Sequence, residues 1–155
     1  MNTITFTHPL AADPAMLSAS GLWIPEGPGK WSRPLRFLRG DRGWVELMKL
    51  EPGVKLGWHR HTGEVHAFNL EGHRRLNTGE LIGPGGYVHE PAGNVDWWEA
   101  TGDSPLVVFV VVMGAVEYIG PGGVVTRRIT TADREADYLR YAEASGAVLP
   151  DLRER

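Results

Sequence analysis

The chain contains no cysteine among its 155 residues. This absence excludes disulfide bonds, thiolate nucleophiles, iron–sulfur clusters and cysteine-ligated zinc sites. Charge of one sign is not in excess either, with 16 basic and 19 acidic residues, and no basic run indicates a nucleic-acid-binding surface. The longest apolar run, residues 106–113, is far shorter than the ~20 residues of a membrane-spanning helix. The N-terminal sequence lacks the basic-then-apolar pattern of a secretory signal, so we expect a cytoplasmic protein that binds neither nucleic acid nor membrane.

Glycine and proline are abundant instead, with 20 and 11 residues, and they divide much of the chain into short β-like runs. Many short strands separated by turns predict a β-sandwich or a β-barrel. The predicted strands are residues 43–50, 54–61, 65–70, 73–77, 79–82, 87–90, 95–100, 106–113 and 115–119. We expect one domain over residues 1–155, with its barrel at about residues 31–126.

The two ends of the chain differ from this pattern. In residues 1–30, four prolines interrupt short apolar pieces, which predicts an irregular arm, with an edge strand at residues 4–7 as an alternative. At the other end, Thr130 or Thr131 is the predicted cap of a helix that reaches about residue 146 and places Tyr138 and Leu139 on one side. The predicted fold is therefore all-β, with one C-terminal helix.

Three of the six histidines lie within eight residues, at His59, His61 and His66. Residues two apart on a strand share a face, so His59 and His61 point the same way. After a turn, the returning strand places His66 and Phe68 on one face, and if that face is interior, His66 points into the same space. Converging imidazoles predict a divalent transition-metal site. The alternative is two surface histidines and one hydrogen-bonded core histidine.

The sequence around these histidines resembles the two motifs of the cupin superfamily. The matching positions are Gly53, His59-Arg60-His61 and Gly72 for the first motif, and Gly85, Pro91-Ala92-Gly93 and Asp96 for the second. The likeness covers residues 31 to about 146. It is closest to small dioxygenases that cleave carbon–carbon bonds beside carbonyls, such as the 2,4'-dihydroxyacetophenone and acetylacetone-cleaving enzymes. The resemblance implies a double-stranded β-helix (a jelly-roll barrel), a non-haem Fe(II) centre and usually an oligomer.

The resemblance also implies which residues form the site. His59 and His61 correspond to metal ligands, whereas the third histidine of the dioxygenase branch falls at Asp96. Asp96 or His66 is therefore the third ligand, or the site is empty; two histidines and one carboxylate would form the facial triad of Fe(II) oxygenases. Glu90 matches a family glutamate beside the metal, and we expect it to orient a ligand or hold a water.

Four apolar residues are predicted to line a substrate pocket, namely Leu47, Phe68, Trp98 and Phe109. The leading hypothesis is a dioxygenase whose metal (Fe(II) favoured, Zn or Ni as alternatives) polarises the carbonyl of a small diketone or hydroxyketone. The alternative is a non-catalytic cupin that binds a metal or a small molecule, and a weaker one is an isomerase with His66 as general base. The expected partners are a small ketone or aromatic ligand and a second copy of the chain in a homodimer.

Overall fold

The structure is a computed structural model, and the part of the chain that it describes is residues 23–146 and 148–154. Twelve strands and one α-helix account for most of these residues. The strands are β1 (Ile24–Gly27), β2 (Lys30–Leu38), β3 (Gly43–Leu50), β4 (Lys55–His61), β5 (Val65–Glu71), β6 (His73–Leu76), β7 (Leu81–Ile82), β8 (Tyr87–Glu90), β9 (Val95–Thr101), β10 (Leu106–Met113), β11 (Val116–Ile119) and β12 (Val125–Ile129). The helix is α1 (Thr131–Ser145), and short 3₁₀ turns lie at Arg39–Asp41 and Pro121–Gly123.

The strands form two antiparallel sheets of six strands each. The first sheet has the order β1-β2-β3-β10-β5-β8, and the second has the order β12-β11-β4-β9-β6-β7. From β3 to β11 the chain crosses from one sheet to the other at every step except between β6 and β7. This alternation is the winding of a jelly roll, so the predicted all-β fold with a double-stranded β-helix is confirmed.

The glycine and proline positions locate the strands well, and the predicted strands 43–50, 87–90 and 106–113 have the observed bounds. Three strands are missed, namely β1, β2 and β12. β12 is mostly exposed, so it lacks the apolar alternation that would have marked it. β1 pairs with β2, so the prediction of an irregular arm is wrong for the last part of residues 1–30. The alternative strand at residues 4–7 lies outside the described residues.

The helix is held at both ends by the expected residues. Thr130 is the N-cap in a reciprocal capping box with Asp133, and Gly146 ends the helix in the left-handed conformation at φ 66°. Tyr138 is buried and packs edge-on against Phe37 at a centroid distance of 5.6 Å. Leu139 is 55% exposed, so the prediction that it shares the inner side with Tyr138 is wrong. Within the described residues, no helix has the length and apolar character needed to cross a membrane.

A buried arginine joins the helix to the barrel. The Arg134 guanidinium donates to Glu26 Oε1 at 2.7 Å, to Glu46 Oε2 at 2.6 Å and to Ser32 Oγ at 2.8 Å. All three partners lie on strands of the first sheet. Both carboxylates are largely buried, and the positive charge of the guanidinium offsets the free-energy cost of removing them from water.

Arg134→Ala should lower the free energy of unfolding by about 3–5 kcal/mol, because it leaves Glu46 and Glu26 without a cation in a buried place. Urea denaturation followed by tryptophan fluorescence measures this change. Arg140→Ala is the matched control on the same helix, since the Arg140 side chain is 72% exposed and its loss should cost at most about 1 kcal/mol. Equal stabilities of the two variants would contradict the stabilising role of Arg134.

Candidate metal centre

β4 brings two histidines to the inside of the barrel. His59 and His61 are 1% and 6% exposed, and their ring centroids lie 4.9 Å apart. The pairing of β4 with β9 changes register between Leu56 and His59, which marks a β-bulge. A bulge re-aims the side chains on its strand. Leu56 and His59 are three positions apart, and the bulge allows both to be buried.

Hydrogen bonding and burial set the chemical state of these rings. Nδ1 of His59 lies 2.7 Å from the carbonyl oxygen of Gly57. We assign the proton to Nδ1, which donates to that oxygen and leaves the lone pair of Nε2 free. Burial lowers the pKa of His59 and lowers the pKa of His61 to about 4. Both imidazoles are therefore neutral at pH 7, which is the form that binds a metal.

Two carboxylates face the histidines from consecutive strands. Glu90 ends β8 with its Oε2 3.8 Å from Nε2 of His61, and Asp96 near the start of β9 has its Oδ1 3.3 Å from Nε2 of His59. Asn94, in the turn between these strands, donates to Oε1 of Glu90 at 2.9 Å. Burial, and then the charge and hydrogen bond of Glu90, raise the pKa of Asp96 to about 7. Asp96 therefore keeps its proton up to about neutral pH, with Glu90 beside it.

The composition of this group suits a divalent transition metal. One ligand atom each from His59, His61 and Glu90 lies within 4.8 Å of the other two, and two imidazoles with one carboxylate form the facial arrangement of non-haem Fe(II) sites. Nδ1 of His61 and Oδ1 of Asp96 are buried without a hydrogen-bond partner among the described residues. Such orphaned atoms cost about 1–3 kcal/mol each, and an ion with its water would supply partners. The residues therefore fit a metal centre.

The expected position of His66 is wrong. The inward positions of β5 are Val65, Ala67 and Asn69, so His66 and Phe68 lie on the outer face. The sequence places the Phe68 face of β5 inside because Phe68 is apolar. In the structure Phe68 is exposed, and the polar residue Asn69 takes the inward position. His66 consequently cannot be the third ligand inside the barrel, and it cannot serve as a general base there.

The four predicted pocket residues divide between the two faces. Trp98 is 4% exposed and lines the cavity inside the barrel. Leu47, Phe68 and Phe109 do not, because Phe109 is directly opposite Leu47 on β3 and Phe68 on β5, and this row faces outward. A strand alternates with a period of two, so choosing the wrong phase moves every residue to the other face.

The cavity has a volume of about 70 Å³. It has space for on the order of five water-sized groups, which admits only a small ligand. His59, His61 and Glu90 contribute to its wall, and apolar side chains such as Trp98 and Val110 form much of the rest.

Sequence reasoning missed two basic residues that belong to this cavity. Arg134 lines it from the helix, and Arg74 lines it from β6. Arg74 is 2% exposed, its Nε donates to Oδ1 of Asn69 at 3.1 Å, and its guanidinium lies 4.9 Å from the ring of Trp98. The attraction of Arg74 lowers the pKa of Asp96, against the larger effects that raise it. The sequence offered one signal for Arg74, namely that it lies two positions before Leu76 and so shares the face of that apolar residue.

Comparisons with known proteins agree with this architecture. Residues 13–117 match the model of the ChrR cupin-like domain family. Among solved structures, an RmlC-like cupin protein from Ralstonia eutropha JMP134 is similar at 21% identity with a TM-score of 0.79, over 85% of this chain and 88% of that one. An acetylacetone dioxygenase from Acinetobacter johnsonii is similar at 16% identity with a TM-score of 0.74, over 91% of this chain and 99% of that one. No curated protein matches the sequence.

In metal-free protein, Asp96→Asn should stabilise the fold most at high pH. The pKa of Asp96 is about 7 in the folded protein against an ordinary value of 3.8, so the folded state holds a proton that the unfolded state releases. The stability that this bound proton contributes to the wild-type fold is therefore lost as pH rises from about 4 to 7. The difference in free energy of unfolding between Asp96→Asn and wild type should grow over this range and level off above it.

Chemical denaturation of chelator-treated protein at a series of pH values tests this expectation. Subtracting the wild-type free energy of unfolding from that of Asp96→Asn at each pH cancels the contributions of His59 and His61. The lowered pKa values of these histidines make the fold more stable as pH rises, which is opposite to the effect of Asp96. Exposed Asp103→Asn is the control and should show a flat difference. A flat difference for Asp96→Asn as well would show that Asp96 titrates normally.

Proposed function

The chain belongs to the ChrR cupin-like domain family, and from this premise we propose that it is a metal-dependent dioxygenase. Its substrate would be a small diketone or hydroxyketone, in which a carbon–carbon bond beside a carbonyl is cleaved. The observation that carries the proposal is the set of His59, His61 and Glu90 on the wall of a small, largely apolar cavity. The fold shared with an acetylacetone dioxygenase supports it.

The chain's own residues would hold a metal in a defined orientation. The carbonyl of Gly57 fixes the ring of His59 with Nε2 free, and Asn94 holds one oxygen of Glu90 while the other faces His61. Partners of this kind, behind the ligands, orient them and tune the metal. A bound Fe(II) would supply Lewis acidity toward a carbonyl oxygen and reactivity toward O₂. The apolar wall would exclude water and strengthen these electrostatic effects.

The activity is tested by oxygen consumption of Fe(II)-loaded protein with a panel of small β-diketones and α-hydroxyketones. We expect O₂ uptake matched by two carbonyl-containing or carboxylic products, and no uptake by the His59→Ala variant. Iron content must be measured in the same samples. Absence of turnover with every ketone, at confirmed iron occupancy, would remove the dioxygenase proposal.

The identity of the third ligand is a separate test. Because Glu90, rather than Asp96, falls in the compact donor set, Glu90→Gln should weaken Fe(II) binding by more than about 100-fold, beyond the usual effect of an outer partner. Asp96→Asn should weaken it about 10-fold at most, since Asp96 would act through Glu90 and His59. Anaerobic titration with Fe(II) gives both affinities. The reverse order would assign the ligand role to Asp96.

A second candidate is a non-catalytic cupin that holds a metal or a small molecule. The observation that favours it is Asp96 itself, which occupies the position of the third histidine in the dioxygenase branch and whose pKa is raised to about 7 by burial and by Glu90. Asp96→His discriminates the two candidates: metal affinity or activity gained by this variant and absent from the parent would show that the natural site is degenerate.

Fe(II) remains the favoured metal, with Zn or Ni as alternatives, and the homodimer and cytoplasmic location stay predictions.

A further inference from the structure

A second group of metal-ligating side chains lies on the outer face of the first sheet. Glu64 precedes β5, His66 lies on β5, and His89 lies on β8 directly opposite His66 in the antiparallel pair. The side chains are 53%, 39% and 45% exposed, respectively. His66 is separated from the barrel cavity by the thickness of its own strand, because its neighbours Val65 and Ala67 line that cavity. The outer group therefore cannot share an ion with the inner one.

The donor atoms of this group converge on one another. Nε2 of His66 lies 3.1 Å from Oε1 of Glu64, and Nε2 of His89 lies 3.4 Å from Oε2 of the same carboxylate. One ligand atom from each of the three residues lies within 4.8 Å of the others. Zinc binds nitrogen and oxygen at about 2.0–2.2 Å, so small rotations of exposed side chains bring all three donors to one ion. The histidine rings are already stacked, at a centroid distance of 5.0 Å.

The tyrosine at the start of β8 fixes one of these rings. The hydroxyl of Tyr87 lies 2.5 Å from Nδ1 of His66, and the two rings stack with a centroid distance of 6.0 Å. When an ion takes the lone pair of Nε2, the ring proton resides on Nδ1 and donates to the tyrosine oxygen. A histidine that binds a metal through one nitrogen and donates a hydrogen bond through the other is the usual arrangement in metal sites.

We propose that Glu64, His66 and His89 form a second, external site for a divalent transition ion such as Zn(II), with Tyr87 as a positioning residue. The site offers two imidazoles and one carboxylate, and its exposure leaves the remaining coordination position to water or to a further ligand. The Irving–Williams order makes Cu(II) the tightest first-row ion at such a site.

The external ion would clip an edge strand to the barrel. β8 has four residues and is the last strand of the first sheet, where β5 is its only pairing strand among the described residues. His89 is followed directly by Glu90, which faces the inner site. An ion that joins β8 to β5 and to the preceding turn therefore stabilises the strand that positions Glu90.

Calorimetric titration of the tag-free, chelator-treated full chain with Zn(II) tests the site. Besides any Zn(II) bound by the inner centre, we expect one equivalent that disappears in His89→Ala and in His66→Ala, and that persists in the His59→Ala/His61→Ala double variant. His73→Ala, at an exposed position of β6, is the matched control and should bind as wild type does. Tyr87→Phe should weaken this equivalent about 10-fold and alter the visible spectrum of bound Co(II).

The outcomes for the two sites are separable. If the inner site binds no metal, the external equivalent remains and is still abolished by His89→Ala. If His89→Ala and His66→Ala both bind Zn(II) with the stoichiometry and affinity of wild type, the external site does not exist. Circular dichroism of each variant confirms that the fold is retained.

Discussion

Compensation of buried charge is the constraint on which the rest of this barrel depends. The interior holds carboxylates from both sheets, and each cluster has its own cation: Arg134 faces Glu26 and Glu46, while Arg74 acts on Glu90 and Asp96. An unpaired charge in such a place is far more costly than a buried apolar group. Burial in the same interior lowers the pKa values of His59 and His61 and keeps both rings neutral. The interior therefore combines compensated charges, which the fold needs, with donor atoms that fit a metal.

The segment from β4 to β5 shows how one short stretch of sequence can place histidines both inside and outside the barrel, from two different sheets. His59 and His61 face inward because a bulge sets the phase of β4, whereas His66 faces outward because β5 alternates normally. The chain thus divides its histidines between a buried environment and an exposed one. Burial lowers the pKa of the inner pair, while the outer pair is accessible to solvent and to ions.

The sequence could predict the strands from β3 to β11, but it could not predict the phase of β5. Glycine and proline mark turns through backbone conformation alone, and the helix limits followed from the capping chemistry at Thr130 and Gly146. Phase was inferred from the rule that apolar residues lie inside, and Phe68 and Asn69 violate that rule. Arg74 and Arg134 escaped notice because their partners are distant in sequence, and only the fold brings them together.

The helix contributes a wall residue to a cavity whose other described lining residues lie on strands. Arg134 reaches the cavity from outside the barrel, whereas the candidate ligands come from β4 and β8. The candidate metal ligands and the Arg134 part of the cavity wall thus come from separate segments of the chain. A substitution at Arg134 would therefore change the shape and charge of the chamber without replacing any of the candidate ligands on the strands.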